Sequence, residues 1–456
     1  MSTSVHQSWS SRGAFLMACA GAAVGLGNVW RFPFVTGQNG GAAFVIVYLA
    51  FVFLIGVPII MAELALGRMG HLSPIGSVKR IVAEQGASRS WYAIGVMSLA
   101  VPFLGFTYYS VVAGWSVRYT ADALLGTFAS VSADESLSLF QALVGSPVTN
   151  VLLQGVVIMA TAVVVGSGLQ QGIERVTKVM MPSLLGILLL MIGYNALQAD
   201  LGQAFTFLFA PDFSKLTGTS VMIALGQAFF SVGVGVGFMI TYGAYLPRHV
   251  SVPMAAVSVA AIDTIVALLA GLAIFPIVFA AGLSPSEGPG LVFITMPVAF
   301  GAMPFGQALG VLFFLLLFMA AFTSTLGMLE PMVSYMEERW RAGRIALACA
   351  AGLVIWVVGI FPALSDNVFA GMRPLSGVAG LSEKSVFELF DFATASVMIP
   401  INALLISLFA GWVVTSSRFK EELALGSDAA FWLWTVLIRY VAPIAVLVIT
   451  LSGLFG

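Results

Sequence analysis

Charged residues are scarce in this chain. Only 9% of its 456 residues are Asp, Glu, Lys or Arg, against about 25% in an average soluble protein, while 60% are hydrophobic and the mean hydropathy is +1.03. Too few polar side chains remain to coat several soluble domains. An excess of one charge is missing too: 19 Lys plus Arg stand against 20 Asp plus Glu, which leaves no basic surface for a nucleic acid. Cysteine is reduced to Cys19 and Cys349, both inside apolar runs, so there is neither a disulfide framework nor a zinc motif. The three histidines, His6, His71 and His249, all fall outside the expected spans and offer no metal cluster or intramembrane dyad for an enzyme. A phosphate-binding loop of the ATPase type is also absent. The chain is expected not to be an enzyme, to carry no organic cofactor and to need no obligate protein partner.

What the chain has is length in apolar runs. A helix crossing the hydrocarbon core of a bilayer needs roughly 20 mainly apolar residues, and eleven runs satisfy this: 12–37, 41–70, 91–125, 148–169, 174–198, 216–246, 251–282, 306–337, 343–362, 386–416 and 428–455. The first is too long, and its leading segment too weakly basic, for a cleaved signal. With the amino terminus inside, 13 of the 19 Lys and Arg lie in or beside the cytoplasm. Arg118, Lys215, Arg373 and Lys384 fall outside, and Arg31 and Arg439 lie within spans. The positive-inside rule therefore sets the orientation, with the carboxyl terminus external. The connections are too short for independent domains. We expect a single transmembrane domain, with one repeat over about 12–198, a second over about 216–416, and an extra helix over about 428–455. The stretch Leu283 to Pro304, rich in Gly and Pro yet apolar, reads as an external hairpin of short helices folded back on the protein.

Two spans carry glycine clusters. Span one contains Gly21, Gly25 and Gly27 followed by Asn28, Arg31 and Pro33; span six, five spans later, contains Gly233, Gly235 and Gly237 after Ser231. Close packing through small residues is one explanation. Breaks at matching positions of two repeats are another, and they point to a midplane site where unwound carbonyls and half-helix ends meet ions and substrate.

The run Gly21 to Pro33, with Gly37 to Gly41, Glu63, Tyr108 and Tyr109, Phe229 to Ser231, Thr323 and Ser324, and Asp391 and Phe392, resembles the neurotransmitter:sodium symporters, in particular their bacterial amino-acid transporters. The matches are dispersed over nearly the whole chain in the right order. Eleven spans resemble a bacterial subgroup that lacks the family's twelfth. The resemblance implies an all-α membrane fold of the leucine-transporter type, an inverted repeat of spans 1–5 and 6–10 with spans 1 and 6 broken. It implies sodium-coupled import of a hydrophobic or aromatic L-amino acid by alternating access across the inner membrane. An ion channel, or a sodium-coupled transporter of another small zwitterion, is the alternative.

Residue by residue, the resemblance implies a first sodium site at Ala23, Asn28, Ser231 and Asp263, and a second at Gly21, Val24, Ala320, Thr323 and Ser324. Both would use hard oxygen ligands. Substrate would meet Ala23, Gly25, Leu26, Gly27, Gly105, Tyr109, Phe230, Ser231, Gly233, Val236, Ser324, Thr325 and Met328. Amine-binding relatives carry an aspartate at the position of Gly25, so its absence implies an amino acid whose carboxylate is held by the Leu26 and Gly27 amides, Tyr109 and a sodium ion. Small residues at Gly105, Gly233 and Val236 imply a roomy pocket for the side chain. Arg31 and Asp391 would form the external gate, and Trp9, Tyr245 and Glu338 the internal one, with His6 where the family has an arginine. Glu63 would tie spans one and six together, and Gly172 and Pro182 would let span five unwind. Asp263 stands where relatives often have asparagine, and Ala267 where chloride-dependent members have serine. A fixed carboxylate there can replace the anion beside Tyr48, Gln227 and Ser231, which implies chloride independence and, once the cations leave, a proton carried outward.

Overall fold

The protein is described from a computed structural model covering residues 8–282, 291–378 and 380–455. Among the described residues it is helical and has no strand, as a chain in lipid requires, because a helix satisfies its own backbone groups. Among the described residues nine helices are long and apolar enough to cross a bilayer. They are Ala42–Gly70 (span two), Arg89–Leu124 (three), Pro147–Gly166 (four), Leu169–Gln198 (five), Val252–Ala280 (seven), Gly306–Arg339 (eight), Arg344–Ala363 (nine), Val386–Val413 (ten) and Asp428–Leu451 (eleven). Span one is a pair, Arg12–Ala23 and Gly27–Gln38, bent by 56° at its break. Span six is likewise Gly218–Val232 followed by Phe238–Ala244. With the bent first pair the candidate crossings among the described residues number up to ten, and the two short helices of span six occupy the remaining run read from hydropathy.

The chain marks its helix starts with side-chain caps. Ser11 accepts the Ala14 amide at 3.1 Å before span one, and Thr217 accepts the Ser220 amide at 3.0 Å before span six. Ser385 and Glu388 form a reciprocal capping box at the start of span ten. Span two and the inner half of span six touch backbone to backbone. A Cβ on Gly67 would collide with the Ile240 carbonyl, and one on Gly243 would lie 2.8 Å from the Leu64 Cα. Such contacts between small residues are the usual way to bring membrane helices close.

The expected external hairpin lies partly outside the described residues. Its described part is helical over Leu291–Thr295 and Met296–Ala302. It folds back on the bundle, with the Phe293 ring 5.1 Å from Tyr119 and 5.8 Å from Trp115, and the Ile294 carbonyl accepting from Ser136 at 2.7 Å.

Span five is wound in this structure. Arg175–Gln198 is a continuous helix through Pro182, preceded by wide turns over Leu169–Glu174. Gly172 serves close packing here, since a Cβ on it would strike the Val164 carbonyl of span four. The segment between Gly172 and Pro182 is wound.

Candidate functional site

Each break follows from local sequence. In span one the Gly25 amide donates to Asn28 Oδ1 at 3.0 Å, the Leu26 amide to the Tyr109 hydroxyl at 2.8 Å, and the Asn28 amide to the Gly25 carbonyl at 3.1 Å. These three amides are the ones that a regular helix would direct at the Gly21, Ala22 and Val24 carbonyls. Those oxygens are thereby released for other partners. In span six Gly233, Gly235 and Gly237 have φ of +67°, +77° and +100°, a region open to glycine at little cost. The Gly235 amide donates to Glu63 Oε1 at 2.6 Å, so span two holds the break of span six.

The breaks face one cavity of about 50 Å³, room for a few waters or the polar part of a small ligand. It gathers the residues expected to meet substrate, except Leu26, Ser231 and Thr325. Leu26 contributes its amide, as above. Ser231 is bound into the cluster around Asp263. Thr325 is a correction: its hydroxyl donates to the Phe322 carbonyl at 2.7 Å and pairs with Thr161 of span four at 2.8 Å, on the helix face turned from the cavity. The wall also includes Ala22, Val101, Pro102, Tyr108, Phe238, Thr394 and Ile399, which sequence reasoning missed. Helical spacing from residues already chosen would have found some. Val101 and Pro102 lie one turn from Gly105, and Thr394 three residues from Asp391.

The glycines lining the cavity do different things. A Cβ on Gly25 would collide with Tyr109 Oη and lie 2.6 Å from Ser324 Oγ, so no side chain fits there without displacing both. A Cβ on Gly105 would meet only Thr394 Cγ2, at 3.5 Å; this is the open side. Gly233 is a second correction. Its positive φ and the Phe238 ring, 2.6 Å from where its Cβ would be, demand glycine for the backbone turn and ring packing rather than for space.

The oxygen cluster at the first expected sodium site is fully buried. Asp263 Oδ1 accepts from Asn28 Nδ2 at 2.8 Å and Oδ2 from the Ser231 hydroxyl at 2.6 Å. Ser231 Oγ in turn accepts from Asn28 Nδ2 and the Tyr48 hydroxyl, each at 3.1 Å. A hydroxyl has one proton and two lone pairs, so Ser231 is saturated and an arriving cation must displace one of its donors. Gln227 turns the other way and donates to the Gly27 carbonyl at 3.0 Å. Ala267, one turn beyond Asp263, is buried and offers no hydroxyl.

At the second expected site a Cβ on Gly21 would lie 3.3 Å from Thr323 Cβ, which sets span one directly on span eight. Thr323 donates to the Met319 and Ala320 carbonyls at 3.0 and 3.2 Å. Ser324 donates to Ala320 and Val24 carbonyls at 3.2 and 3.3 Å. Both hydroxyls keep lone pairs directed elsewhere, so bonding back to the helix and binding a cation are compatible. The oxygen-only donor sets at both places suit a hard monovalent cation.

On one side of the cavity the Arg31 guanidinium stacks over the Phe230 ring at 4.8 Å. Phe230 itself lies on Gly27. Asp391 faces Arg31, Tyr108 and Lys384, but no hydrogen bond or ion pair among the described residues joins Arg31 directly to Asp391. Before the start of span one Trp9 Nε1 donates to the Tyr242 carbonyl at 3.0 Å and its amide to the Tyr245 carbonyl at 3.3 Å. Ser10 donates from amide and hydroxyl to buried Glu174 at 2.7 and 2.5 Å, and Lys178 pairs with Glu174 at 3.1 Å. The Ser10–Glu174 contact belongs to no motif legible in the sequence. The Tyr245 hydroxyl donates to Glu330 at 2.7 Å, and Arg344 bridges Glu330 and Glu337. Glu338 accepts from the Ser73 amide and, at 2.7 Å, the Ser73 hydroxyl, near the start of the short helix after span two. His6 lies outside the described residues.

Two helices broken at matching places beside a buried, mainly apolar cavity are the arrangement found in secondary transporters. The chain matches the sequence model of the sodium:neurotransmitter symporter family over residues 6–138 and 133–455, and it belongs to that family. It is 36% identical to the uncharacterized sodium-dependent transporter YhdH of Bacillus subtilis, over 97% of either chain. It is 31% identical to an uncharacterized sodium-dependent transporter of Haemophilus influenzae, over 99% of this chain and 98% of that one. Its fold is similar to that of MhsT, solved in complex with L-phenylalanine, with a TM-score of 0.88, 38% identity, and coverage of 98% of this chain and all of the other. The protein is thus a multi-pass membrane transporter that depends on sodium, with the leucine-transporter fold.

Proposed function

We propose that the protein imports a hydrophobic or aromatic L-amino acid with two sodium ions, independently of chloride and with a proton carried outward, across the inner membrane with its amino terminus in the cytoplasm. The observation that carries this reading is the contrast between the two sides of the cavity. One side is the broken end of span one, where the Leu26 amide and Tyr109 hydroxyl meet and where Gly25 leaves no room for a side chain. The other is apolar, built from Val101, Pro102, Phe238, Val236 and Ile399. A small zwitterion with an apolar side chain fits both. The carboxylate lies at the helix break, where amides and a sodium ion favour an anion, and the side chain lies in the apolar half. The phenylalanine complex of the structurally similar MhsT supports the same substrate class. In this reading sodium and amino acid enter beneath Arg31 and Phe230, and release follows when the Trp9, Ser10 and Tyr245 contacts part.

The reading is tested in proteoliposomes by uptake of labelled phenylalanine under an inward sodium gradient, with unlabelled amino acids as competitors. Large apolar amino acids should compete, and charged ones should not. A sodium gradient that drives no amino-acid uptake would refute the proposal.

Two variants test the pocket and the second sodium site. Gly105→Val adds bulk on the open side, and overpacking of this kind costs about 1–3 kcal/mol. Uptake of Trp and Phe should therefore fall by about tenfold or more, while that of Ala and Leu changes little; equal losses for all four would argue against this pocket wall. Thr323→Val combined with Ser324→Ala keeps approximate volume and removes two oxygens. The sodium concentration for half-maximal transport should rise by about tenfold or more, given roughly 1.5–3 kcal/mol for a contact to a charge. An unchanged value would show that these hydroxyls serve only their own helix.

A further inference from the structure

Span ten meets the pathway at three depths. At one end Asp391 lies within electrostatic reach of Arg31. One turn inward Thr394, and beyond it Ile399, line the cavity. One turn further Asn402, fully buried, donates through Nδ2 to the Gly235 carbonyl at 2.8 Å and to Ser98 Oγ of span three at 3.1 Å. Gly235 is the middle of the unwound stretch of span six, and its Cα lies on the span-ten backbone. A Cβ there would be 2.5 Å from the Ile399 carbonyl oxygen and 3.1 Å from the Ala403 nitrogen. The amide of the same residue is the one held by Glu63. Gly235 is thus gripped at both polar groups, by span two through its N–H and by span ten through its C=O. With no helical partner available, these side chains supply the bonds that buried backbone requires.

Two observations suit this grip to movement rather than to static bracing. Glu63 Oε2 and Asn402 Oδ1 are buried without a hydrogen-bond partner among the described residues, so each side chain has a second acceptor to exchange. Between Asp391 and Asn402 the helix is not regular. Phe392–Met398 forms wide turns, of the kind found in single-turn bulges at functional sites.

We infer that Asn402 is a positioning residue that carries closure of the Asp391 lid to the unwound wall of the substrate cavity. Gly233 and Val236, on either side of the gripped residue, line that cavity, so a shift of span ten at Asn402 changes the surface presented to the substrate side chain. The inference rests on the proposed amino-acid site.

The test is a double-mutant cycle on purified full-length protein, read as equilibrium binding of labelled phenylalanine in sodium. Asn402→Ala leaves the Gly235 carbonyl unpaired and should weaken binding by about tenfold. Asp391→Asn should also weaken it. If both act through one closure, the double variant should bind little worse than the poorer single variant. Losses that multiply would overturn the inference, because a packing defect at Asn402 has no reason to interact with the lid. Should Asn402→Ala fail to fold, Ser98→Ala removes one partner of Asn402 while sparing the Gly235 bond; the same cycle with Asp391→Asn decides by the same criterion. Wild-type protein that binds no amino acid in sodium would overturn the substrate reading itself, an outcome visible before any variant is made.

Discussion

Asp263→Asn should cut sodium-driven uptake in chloride-free medium by more than about 100-fold, while the wild type transports equally well in chloride and in gluconate. The carboxylate is fully buried, and among the described residues its hydrogen-bond donors, Asn28 and Ser231, are neutral. Two sodium ions and a zwitterionic substrate bring a net charge of +2 into a poorly solvated site, and the Asp263 carboxylate offsets one of these charges. At about 4 Å and an effective dielectric constant near 20, one ion pair is worth about 4 kcal/mol, or roughly three orders of magnitude in affinity. Losing it should be decisive. Because Tyr48, Ser231 and Asn28 remain as donors around the vacated charge, chloride should restore part of the uptake in the variant. After sodium and substrate leave inward, Asp263 is buried without cations, and a proton is the charge that can take their place for the return. Wild-type uptake should therefore make the liposome interior more alkaline, as read by a trapped pH dye, and the variant should lose this signal. Collapse of wild-type uptake on removal of chloride would sink this account of the site.

How much of this was legible in the sequence depends on the range of the interaction. The breaks were legible, because three glycines in alternate positions at Gly233, Gly235 and Gly237 state a local backbone requirement that no neighbour can override. The burial of Asp263 was legible from its apolar surroundings. Facing relations were less so. Adjacent helical residues point about 100° apart, so spacing alone does not say whether Thr325 joins Ser324 at the cavity, and its bond to Thr161, on a span four helices earlier, settles the choice. Gly233 was assigned smallness for the wrong reason, because only the fold shows that Phe238 doubles back onto it.

The inner gate was the hardest part to read. Ser10 and Glu174 are 164 residues apart in sequence, and neither belongs to a motif. Glu330 and Glu338 lie on the same long helix, about 12 Å apart along its axis at 1.5 Å per residue. Hydropathy cannot say which depth Tyr245 reaches. Burial of Glu330 is offset because Arg344 comes from the next span to meet it.

That arrangement makes Arg344→Ala the most severe expected lesion of the inner gate. Glu330 is fully buried, Arg344 is 18% exposed, and Tyr245 donates to the same carboxylate. Removing one partner of a buried ion pair leaves an uncompensated charge at a cost of about 3–5 kcal/mol. The inward-closed form alone bears that cost, because opening lets water reach Glu330. A shift of this size moves a two-state equilibrium by two to three orders of magnitude, so the variant should rest open to the cytoplasm and uptake should fall by about 100-fold. Cys19 provides the readout that separates this from simple misfolding. It is fully buried on span one, in the same core as Trp9 and Tyr242, and should become reactive to a water-soluble maleimide from the cytoplasmic side in Arg344→Ala. Adding Glu330→Gln removes the stranded charge and should return Cys19 toward its protected state. Labelling of Cys19 that stays at the wild-type level in Arg344→Ala would show that this ion pair does not hold the inner gate.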